Sequence, residues 1–320
     1  MRIQVLVLDG VFDIGLAAVL DTLTTANDLA AAAGKGGTRF TVERVGLRRQ
    51  VRTQQGLAVP LEPAGRGRVP DVVIVPALGC KTPETLAAAL ARRDVAEAGA
   101  WLRGQAAAGA RVTAACTATF VLAQSGLLDG RVATTTWWLG PFFRERFPRV
   151  ELDDSRMIVE SGRFATAGAA LAHLDLALWL VRRRSPALAT LTARYLILDA
   201  RSSQANYAIP DHLAHADPIV ERFEGWARRN LVARFSLEEA ARAVGTSERT
   251  LARRLHHVLG KTPLEYVQDL RVERAVHLLQ TSEGTIDEIA AEVGYGDGVT
   301  LRTLLRRKTG RGVRELRVRN

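Results

Sequence analysis

The sequence is poor in cysteine and has no long apolar run, and each shortage excludes a class of protein. Its 320 residues contain two cysteines, Cys80 and Cys116, too few for the disulfide framework of a small secreted protein. The most apolar segment, residues 167–181, contains His173 and Asp175 and falls short of the roughly 20 apolar residues that a membrane-spanning helix needs. We therefore expect no association with a membrane and no dependence on disulfide bonds.

Histidine is also scarce, and none of the six histidines precedes His173. His256 and His257 fall in a predicted helix, where adjacent side chains point to different faces and cannot share a metal ion. The glycine-rich segment 34–37 lacks the spacing of a nucleotide-binding P-loop. The sequence therefore predicts neither a metal site nor a cofactor.

The chain is basic, with a formal net charge of +10 and a pI of about 10.5. Residues 302–319 hold eight basic side chains and one acidic one, a density that suits the phosphates of a polyanion such as DNA. The length favours two domains. Strand-like residues 3–8 follow Arg2 directly, which is not the pattern of a signal peptide, and we expect a cytoplasmic protein.

The C-terminal third contains one pattern twice. Residues 236–245, SLEEAARAVG, reappear 49 residues later as residues 285–294, TIDEIAAEVG. Beyond this point the copies stay aligned, with one extra residue in the second. The further matching pairs are Leu251 with Leu301, Leu255 with Leu305, and Gly260 with Gly310.

Each copy begins like an amphipathic helix that ends in a tight turn. Ser236 with Glu239, and Thr285 with Glu288, have the spacing of a capping box, which satisfies the free amide donors at a helix start. Apolar residues then recur every three or four positions, so that one stripe of the helix is buried. A glycine closes each copy and supplies the left-handed residue that ends a helix.

A second helix follows in each copy, over residues 247–259 and about 298–309. This arrangement is a helix-turn-helix, whose second helix enters the major groove of DNA. A long helix over residues 263–280 can hold the two units together, so that they reach two successive major-groove faces of one duplex. The exposed faces of the second helices carry arginines: Arg249, Arg253, Arg254, Arg302, Arg306 and Arg307.

The segments 260–263, 266–279 and 289–295 resemble the signature of the AraC/XylS family of bacterial transcription regulators. The resemblance covers about the last hundred residues. It implies that Arg249, Ala252 and Arg253 read bases from the first recognition helix, and that Gly298, Val299, Arg302 and Thr303 read them from the second. The full predicted DNA-binding set is Ser247, Arg249, Thr250, Ala252, Arg253, Gly298, Val299, Arg302, Thr303, Arg306 and Arg307. The second copy departs from the family pattern at Leu301, Thr303, Gly312, Val313 and Leu316.

The first two hundred residues alternate between short apolar strands and Ala/Leu-rich helices. This alternation predicts an α/β domain with a doubly wound parallel sheet, joined to an all-α C-terminal domain with two helix-turn-helix units. The predicted strands are 5–8, 40–46, 71–75 and 111–115, and the predicted helices are 16–33, 83–107 and 117–125. Ligands of such sheets sit at the carboxyl ends of the strands, where loops 9–15 and 76–80 should meet Cys116.

Cys116 ends a strand and is followed at once by a helix, which is the geometry of a nucleophile elbow. Its helix N-terminus favours a stabilised thiolate. Residues 121–137 resemble the ThiJ/PfpI branch of the class I glutamine amidotransferase-like superfamily. Together with residues 167–175 and 201–204, they resemble the GlxA-type regulators that fuse this domain to an AraC-type tail. We assign residues 1–200 to a sensor or dimerisation domain, 201–216 to a linker and 217–320 to the DNA-binding domain.

The acid/base partners that a cysteine nucleophile needs are missing from the matching positions. Thr117 and Thr136 stand where the family carries histidine, and Gly15 stands where it carries an acidic residue. His173 lies in an Ala/Leu-rich helix, which favours a satisfied core histidine over a base. We therefore predict a catalytically degenerate elbow and a small-molecule site. Its predicted residues are Asp13, Gly79, Cys80, Cys116, Thr117, Thr136 and Trp137.

The sequence thus predicts a DNA-binding transcriptional regulator, an activator rather than a repressor. The predicted partners are double-stranded DNA, RNA polymerase, a small-molecule effector and a second copy of the chain, bound through the N-terminal domain. Two alternatives stay open: a Cys-dependent hydrolase or hydratase with a DNA-binding tail, and a redox sensor that uses Cys116 with Cys80.

Overall fold

The computed structural model describes residues 1–33, 40–65, 68–199, 201, 203–204 and 217–317. The chain divides into two compact units, Met1–Ala205 and Asn206–Asn320. The glycine-rich segment 34–37 and most of the predicted linker 201–216 lie outside the described residues. Within the described ranges, no helix combines the length and the apolar character needed to cross a membrane.

The first unit is built on a seven-stranded sheet with the strand order β10-β11-β7-β6-β1-β2-β5. Neighbouring strands run parallel except for the antiparallel pair β10 and β11 at one edge. The strands of the unit are β1 Arg2–Leu6, β2 Thr41–Gly46, β3 Gln50–Arg52, β4 Ala58–Pro60, β5 Glu62–Pro63, β6 Val72–Val75, β7 Arg111–Ala115, β8 Val132–Ala133, β9 Glu151–Leu152, β10 Ile158–Ser161 and β11 Phe164–Ala167.

Helices cover both faces of this sheet, as a doubly wound fold requires. Val73 and Val75 of β6 pack into one core with α2, α3 and α4, whereas Val72 and Ile74 pack into a second core with α1, α6 and α7. Successive strand residues point to opposite faces, so one apolar run fills both cores. The helices are α1 Asp13–Ala32, α2 Pro83–Leu90, α3 Arg93–Ala107, α4 Ala118–Gln124, α5 Gly140–Arg146, α6 Ala172–Arg184 and α7 Pro186–Tyr195.

Two details of the first unit differ from the sequence prediction. The single helix expected over 83–107 is two helices, because Arg92 is extended at the start of α3 and its side chain bonds to Asp94 and to the Asp9 carbonyl. The hairpin of β10 and β11 was not predicted, since its four-residue strands carry too short an alternation to stand out.

The second unit is all α-helical over its described residues. Its helices are α8 Pro218–Arg229, α9 Leu237–Ala243, α10 Glu248–Leu259, α11 Pro263–Thr281, α12 Ile286–Glu292, α13 Gly298–Thr309 and α14 Val313–Leu316. The helix pairs α9–α10 and α12–α13 are the two predicted helix-turn-helix units. The long helix α11 packs against helices of both pairs, as the sequence predicts.

The repeat in the sequence corresponds to a repeat in backbone conformation. Gly245 and Gly294 form the turns with positive φ, and Gly260 and Gly310 end α10 and α13 in the left-handed conformation. Thr285 and Glu288 form the complete capping box. In the first copy only the Ser236 side chain acts as a cap, by accepting from the Glu239 amide.

Candidate nucleic-acid interface and Cys116 site

The recognition helices begin at side chains that fix their first turns. Ser247 Oγ accepts from the Thr250 amide at 3.2 Å and contacts the Thr250 hydroxyl at 3.0 Å, so these two predicted DNA-binding residues also form the N-cap of α10. Asp297 caps α13 in the same way, with 2.7 Å from its Oδ1 to the Thr300 amide. Asp297 was not among the predicted residues, although an Asp just before a helix is a recognisable start signal.

The arginines of the two helices divide into free and engaged groups. Arg249, Arg253, Arg302 and Arg306 are exposed, and their side chains form no ion pair within the described part of the chain. Arg254 instead pairs with Asp217 at 3.3 Å, and Arg307 donates to Gln268 at 3.4 Å. Because an unpaired arginine can contact a phosphate or a base without first breaking a bond, the free group forms the candidate contact surface.

The N-terminal end of α10 borders a surface groove of about 470 Å³. Ser247 and Arg249 lie on this groove together with Glu238 and Arg242, which form an ion pair along α9. The predicted residues at the start of the first recognition helix therefore occupy a concave surface between α9 and α10.

One predicted base-reading position, Gly298, makes packing contacts within the protein. Gly298 is buried, its amide donates to Asp287 Oδ1 at 2.8 Å, and a Cβ atom there would lie 2.7 Å from the same oxygen. Its role is to let α13 pack closely on α12. The neighbouring Val299 is 67% exposed, and Arg302 and Thr303 are also exposed, although the Thr303 hydroxyl bonds back to the Val299 carbonyl. Ala252 in α10 is half-buried.

Cys116 adopts the strained backbone of a nucleophile elbow, as predicted. Its φ is 56°, and among the described residues only Cys116 and Ile197 combine a positive φ with a side chain. Its amide donates to the Ala167 carbonyl at 2.9 Å, and its own carbonyl accepts from the Thr135 hydroxyl at 2.7 Å. A non-glycine residue keeps this conformation only when its surroundings hold it there.

The predicted thiolate is wrong. Cys116 is 4% exposed, and burial raises the pKa of its thiol to about 11. Backbone groups of Thr117 and Ala170 and the hydroxyls of Thr136 and Thr117 lower this pKa without offsetting the burial. Loss of solvation outweighs the influence of α4, which has only seven residues. At neutral pH the Cys116 side chain is therefore a protonated thiol.

Three loops meet at the carboxyl end of the sheet, as predicted, and a fourth covers them. The Gly79 amide donates to the Gly10 carbonyl at 2.8 Å, and the Thr117 hydroxyl donates to the Leu78 carbonyl at 2.7 Å. The fourth loop, residues 53–57, was missed because its position depends on distant backbone partners. Gln54 of this loop lies directly on Gly79, where a Cβ atom would be 2.2 Å from its side-chain oxygen.

The predicted small-molecule residues occupy two parts of this region. Cys116, Thr117 and Thr136 are buried around the thiol, and Trp137 follows with its ring against Trp138. The remaining three contact or belong to the loops: Oδ2 of Asp13, the first residue of α1, accepts from the Gln55 amide at 3.2 Å, Gly79 lies under Gln54, and the Cys80 sulfur contacts the Thr85 carbonyl at 3.6 Å.

His173 is a satisfied core histidine, as the sequence favours. Its Nε2 accepts from the Ala77 amide at 3.1 Å, so the proton lies on Nδ1, which donates to the Ala170 carbonyl at 2.5 Å. Burial lowers the pKa of the imidazole to about 4. The ring fills the space beside Gly15, where a Cβ atom would lie 2.7 Å from Nε2. An acidic side chain at position 15, where the sequence comparison places the family's acidic residue, would therefore clash with the His173 ring.

Both cysteines are free thiols. Burial also raises the pKa of Cys80, although Arg92 lowers it in part. Since the thiolate is the form that reacts with oxidants, two protonated thiols do not favour the redox alternative.

Comparison with known families assigns the first unit. The model of the DJ-1/PfpI family matches residues 1–183, more than half of the chain. The chain belongs to the DJ-1/PfpI family. A helix-turn-helix domain model matches residues 240–319, which contain both recognition helices. The predicted combination of a ThiJ/PfpI domain with an AraC-type DNA-binding domain is therefore confirmed.

Proteins named as HTH-type transcriptional regulators are among its relatives. The chain is 29% identical over 295 residues to the HTH-type transcriptional regulator GbdR of Pseudomonas aeruginosa, covering 91% of this chain and 77% of that protein. It is 30% identical over 209 residues to the HTH-type transcriptional regulator GlxA of Rhizobium meliloti, covering 61% of each. A crystal structure of an AraC family transcriptional regulator from Pseudomonas putida shares the fold, with a TM-score of 0.51, 21% identity, and coverage of 61% of this chain and 98% of that one.

Proposed function

We propose that this protein is a sequence-specific DNA-binding transcriptional regulator. The observation that carries the proposal is the pair of helix-turn-helix units, each with exposed, unpaired arginines on its second helix. Mapping of the bound DNA across the host genome tests it. We expect discrete sites upstream of genes, and a uniform distribution over the genome would contradict sequence-specific regulation.

Activation through RNA polymerase in the bacterial cytoplasm is the mode we propose, because regulators that resemble this AraC/XylS-type pattern are mostly activators. Deletion of the gene should lower transcription of the genes beside the mapped sites. Higher transcription in the deletion strain would instead identify a repressor.

We further propose that the first unit, about residues 1–200, binds a small-molecule effector and does not catalyse a reaction. The elbow at Cys116 keeps its strained backbone, but the thiol is protonated, Thr117 and Thr136 supply only hydroxyls, and His173 is engaged on both ring nitrogens. None of these groups can act as a general base at neutral pH.

Cys116→Ala is expected to leave DNA binding unchanged, and the wild-type protein should not turn over amide, nitrile or glyoxal-type substrates. The reason is the absence of an ionised nucleophile and of a base beside it. Operator affinity and product formation should be measured on the same preparations of both proteins. Thiol-dependent turnover that disappears in Cys116→Ala would establish the enzyme alternative.

We propose that Val299 contacts a thymine methyl group. Its side chain is apolar yet 67% exposed at the start of the second recognition helix, and the C5-methyl is the apolar group that the major groove offers. Replacing the contacted thymine by deoxyuridine removes only that methyl and should weaken binding severalfold. The same replacement should not weaken binding by Val299→Ala. An equal loss of affinity in both proteins would show that Val299 does not contact this methyl group.

A homodimer through the first unit completes the proposal. The C-terminal end of α7 and the residues that follow it expose Leu191, Tyr195 and Ile197, the last of them 92% exposed and held at a φ of 54°. The exposed Arg194 lies among these residues and the exposed Asp199 follows them, and the two can pair across a two-fold axis. Light scattering on the full chain should give the mass of two copies, and the mass of one copy at micromolar concentration would exclude this dimer.

A further inference from the structure

Arg271 of α11 is a charged side chain buried in the DNA-binding unit. It is only 7% exposed, and within the described residues it has no carboxylate partner. Its guanidinium instead donates to two backbone carbonyls, from Nε to Leu231 at 2.9 Å and from a terminal nitrogen to Ala233 at 2.7 Å. Both carbonyls belong to the segment between α8 and α9, which leads into the first helix-turn-helix.

The same guanidinium contacts the second helix-turn-helix. Its carbon lies 5.1 Å from the centre of the Tyr295 ring, the geometry of a cation–π contact. Tyr295 directly follows Gly294, the turn glycine between α12 and α13. Arg271 therefore lies between the segment that leads into the first helix-turn-helix and the turn of the second helix-turn-helix.

The backbones of the two helix-turn-helix units also meet at this point. A Cβ atom at Gly294 would lie 2.6 Å from the Val232 carbonyl and 2.9 Å from the Leu231 carbonyl. At the equivalent turn of the first helix-turn-helix, a Cβ atom on Gly245 would meet nothing within 4 Å. Both glycines have a positive φ. Only Gly294 is also needed for the close approach of its turn to the segment that leads into the first helix-turn-helix.

We propose that Arg271 is a positioning residue that fixes the placement of recognition helix α13 relative to α10. The inference rests on the proposed function, since this placement sets which spacing of DNA half-sites the protein accepts. Arginine suits the position because its planar fork reaches two carbonyls while its face covers an aromatic ring. Lysine keeps the charge but lacks the fork and the flat face, so it cannot make all three contacts.

The distance between the two helix-turn-helix units can be measured without DNA. Spin labels at Ala243→Cys and Ala291→Cys, on exposed sites of α9 and α12, report this distance in the full chain. A Cys80→Ser background avoids labelling elsewhere, because Cys116 is buried and protonated. We expect a narrow distance distribution with Arg271, and a broadened or shifted one in Arg271→Lys and Arg271→Met.

Arg274→Lys is the matched control. Arg274 lies on the same helix and links it to α12 through an exposed ion pair with Glu292 at 3.1 Å. This variant should keep the narrow distribution. Circular dichroism identifies any variant that fails to fold, and Tyr295→Leu, which removes the ring contact but keeps an apolar side chain, then serves as a further test and should also broaden or shift the distribution. An unchanged distribution in folded Arg271→Lys and Arg271→Met would overturn the proposal.

A second measurement connects the distance to DNA binding. The probe is a duplex selected from a random library by the wild-type protein, with and without one base pair inserted between its half-sites. Insertion should cost the wild type about tenfold or more, comparable to one lost base contact, whereas Arg271→Lys should bind both duplexes more weakly but nearly equally. Equal spacing dependence in both proteins would contradict the proposal. If no duplex is selected, the proposed function fails, while the label distances still decide the role of Arg271.

Discussion

Arg253→Ala is expected to lower operator affinity by about 5- to 150-fold, because a lost base contact costs roughly 1–3 kcal/mol. Arg253 lies in the middle of the first recognition helix, is exposed, and forms no ion pair within the described residues. Its substitution therefore removes a contact to DNA without breaking a bond inside the protein. Gel-shift titrations with operator and with unrelated DNA should show the loss on the operator alone.

Arg306→Ala is the matched comparison from the second recognition helix. Arg306 lies near the C-terminal end of α13, where a phosphate contact is expected. This substitution should weaken binding to operator and to unrelated DNA alike, and should lower the slope of affinity against salt concentration by about one unit. Titrations at several salt concentrations separate the two behaviours. Unchanged operator affinity in Arg253→Ala would mean that α10 does not lie in the groove.

Acidification is expected to destabilise the first unit through His173. Its pKa is lowered from 6.5 to about 4 in the folded protein, so the folded state keeps the ring neutral while the unfolded chain takes up a proton. The stability contributed by the neutral ring is present above pH 6.5 and is lost as the pH falls towards 4. The expected loss in the free energy of unfolding is about 3 kcal/mol, at roughly 1.4 kcal/mol per pKa unit.

His173→Gln separates this effect from the titration of carboxylates, since glutamine has no charge to gain. Urea unfolding at pH 7 and pH 4.5 should show a smaller acid loss in the variant than in the wild type. Tryptophan fluorescence suits the measurement, because four of the five tryptophans lie in the first unit. The same pH dependence in both proteins would show that His173 is not buried in its neutral form.

The sequence predicted the helical unit in detail because its signals are local. Ser247, Gly260 and Gly310 mark helix ends by residue type alone, and the repeat at 49 residues gave each unit a second copy for comparison. The parallel sheet was predictable for the same reason, since residues 72–75 are a short, fully apolar run and residues 112–115 are apolar except for Thr113.

The candidate sites were less predictable because they depend on contacts between distant residues. The packing of Gly298 on Asp287, for example, has no local signal in the sequence. The thiolate expected at Cys116 depended on a helix start, whereas its pKa is set by burial beneath loops far away in the chain. The contacts of Arg271 with residues 231 and 233 span about 40 positions and have no signature in sequence.

Selection of DNA by the purified protein tests the central claim most directly. The protein is incubated with a random-sequence duplex library, and bound DNA is sequenced over successive rounds. We expect one enriched motif with two half-sites about one helical turn apart, since two tandem helix-turn-helix units can reach successive major-groove faces of one duplex. If the folded protein binds DNA regardless of sequence and no motif is enriched above the starting library, the claim of sequence-specific binding is contradicted.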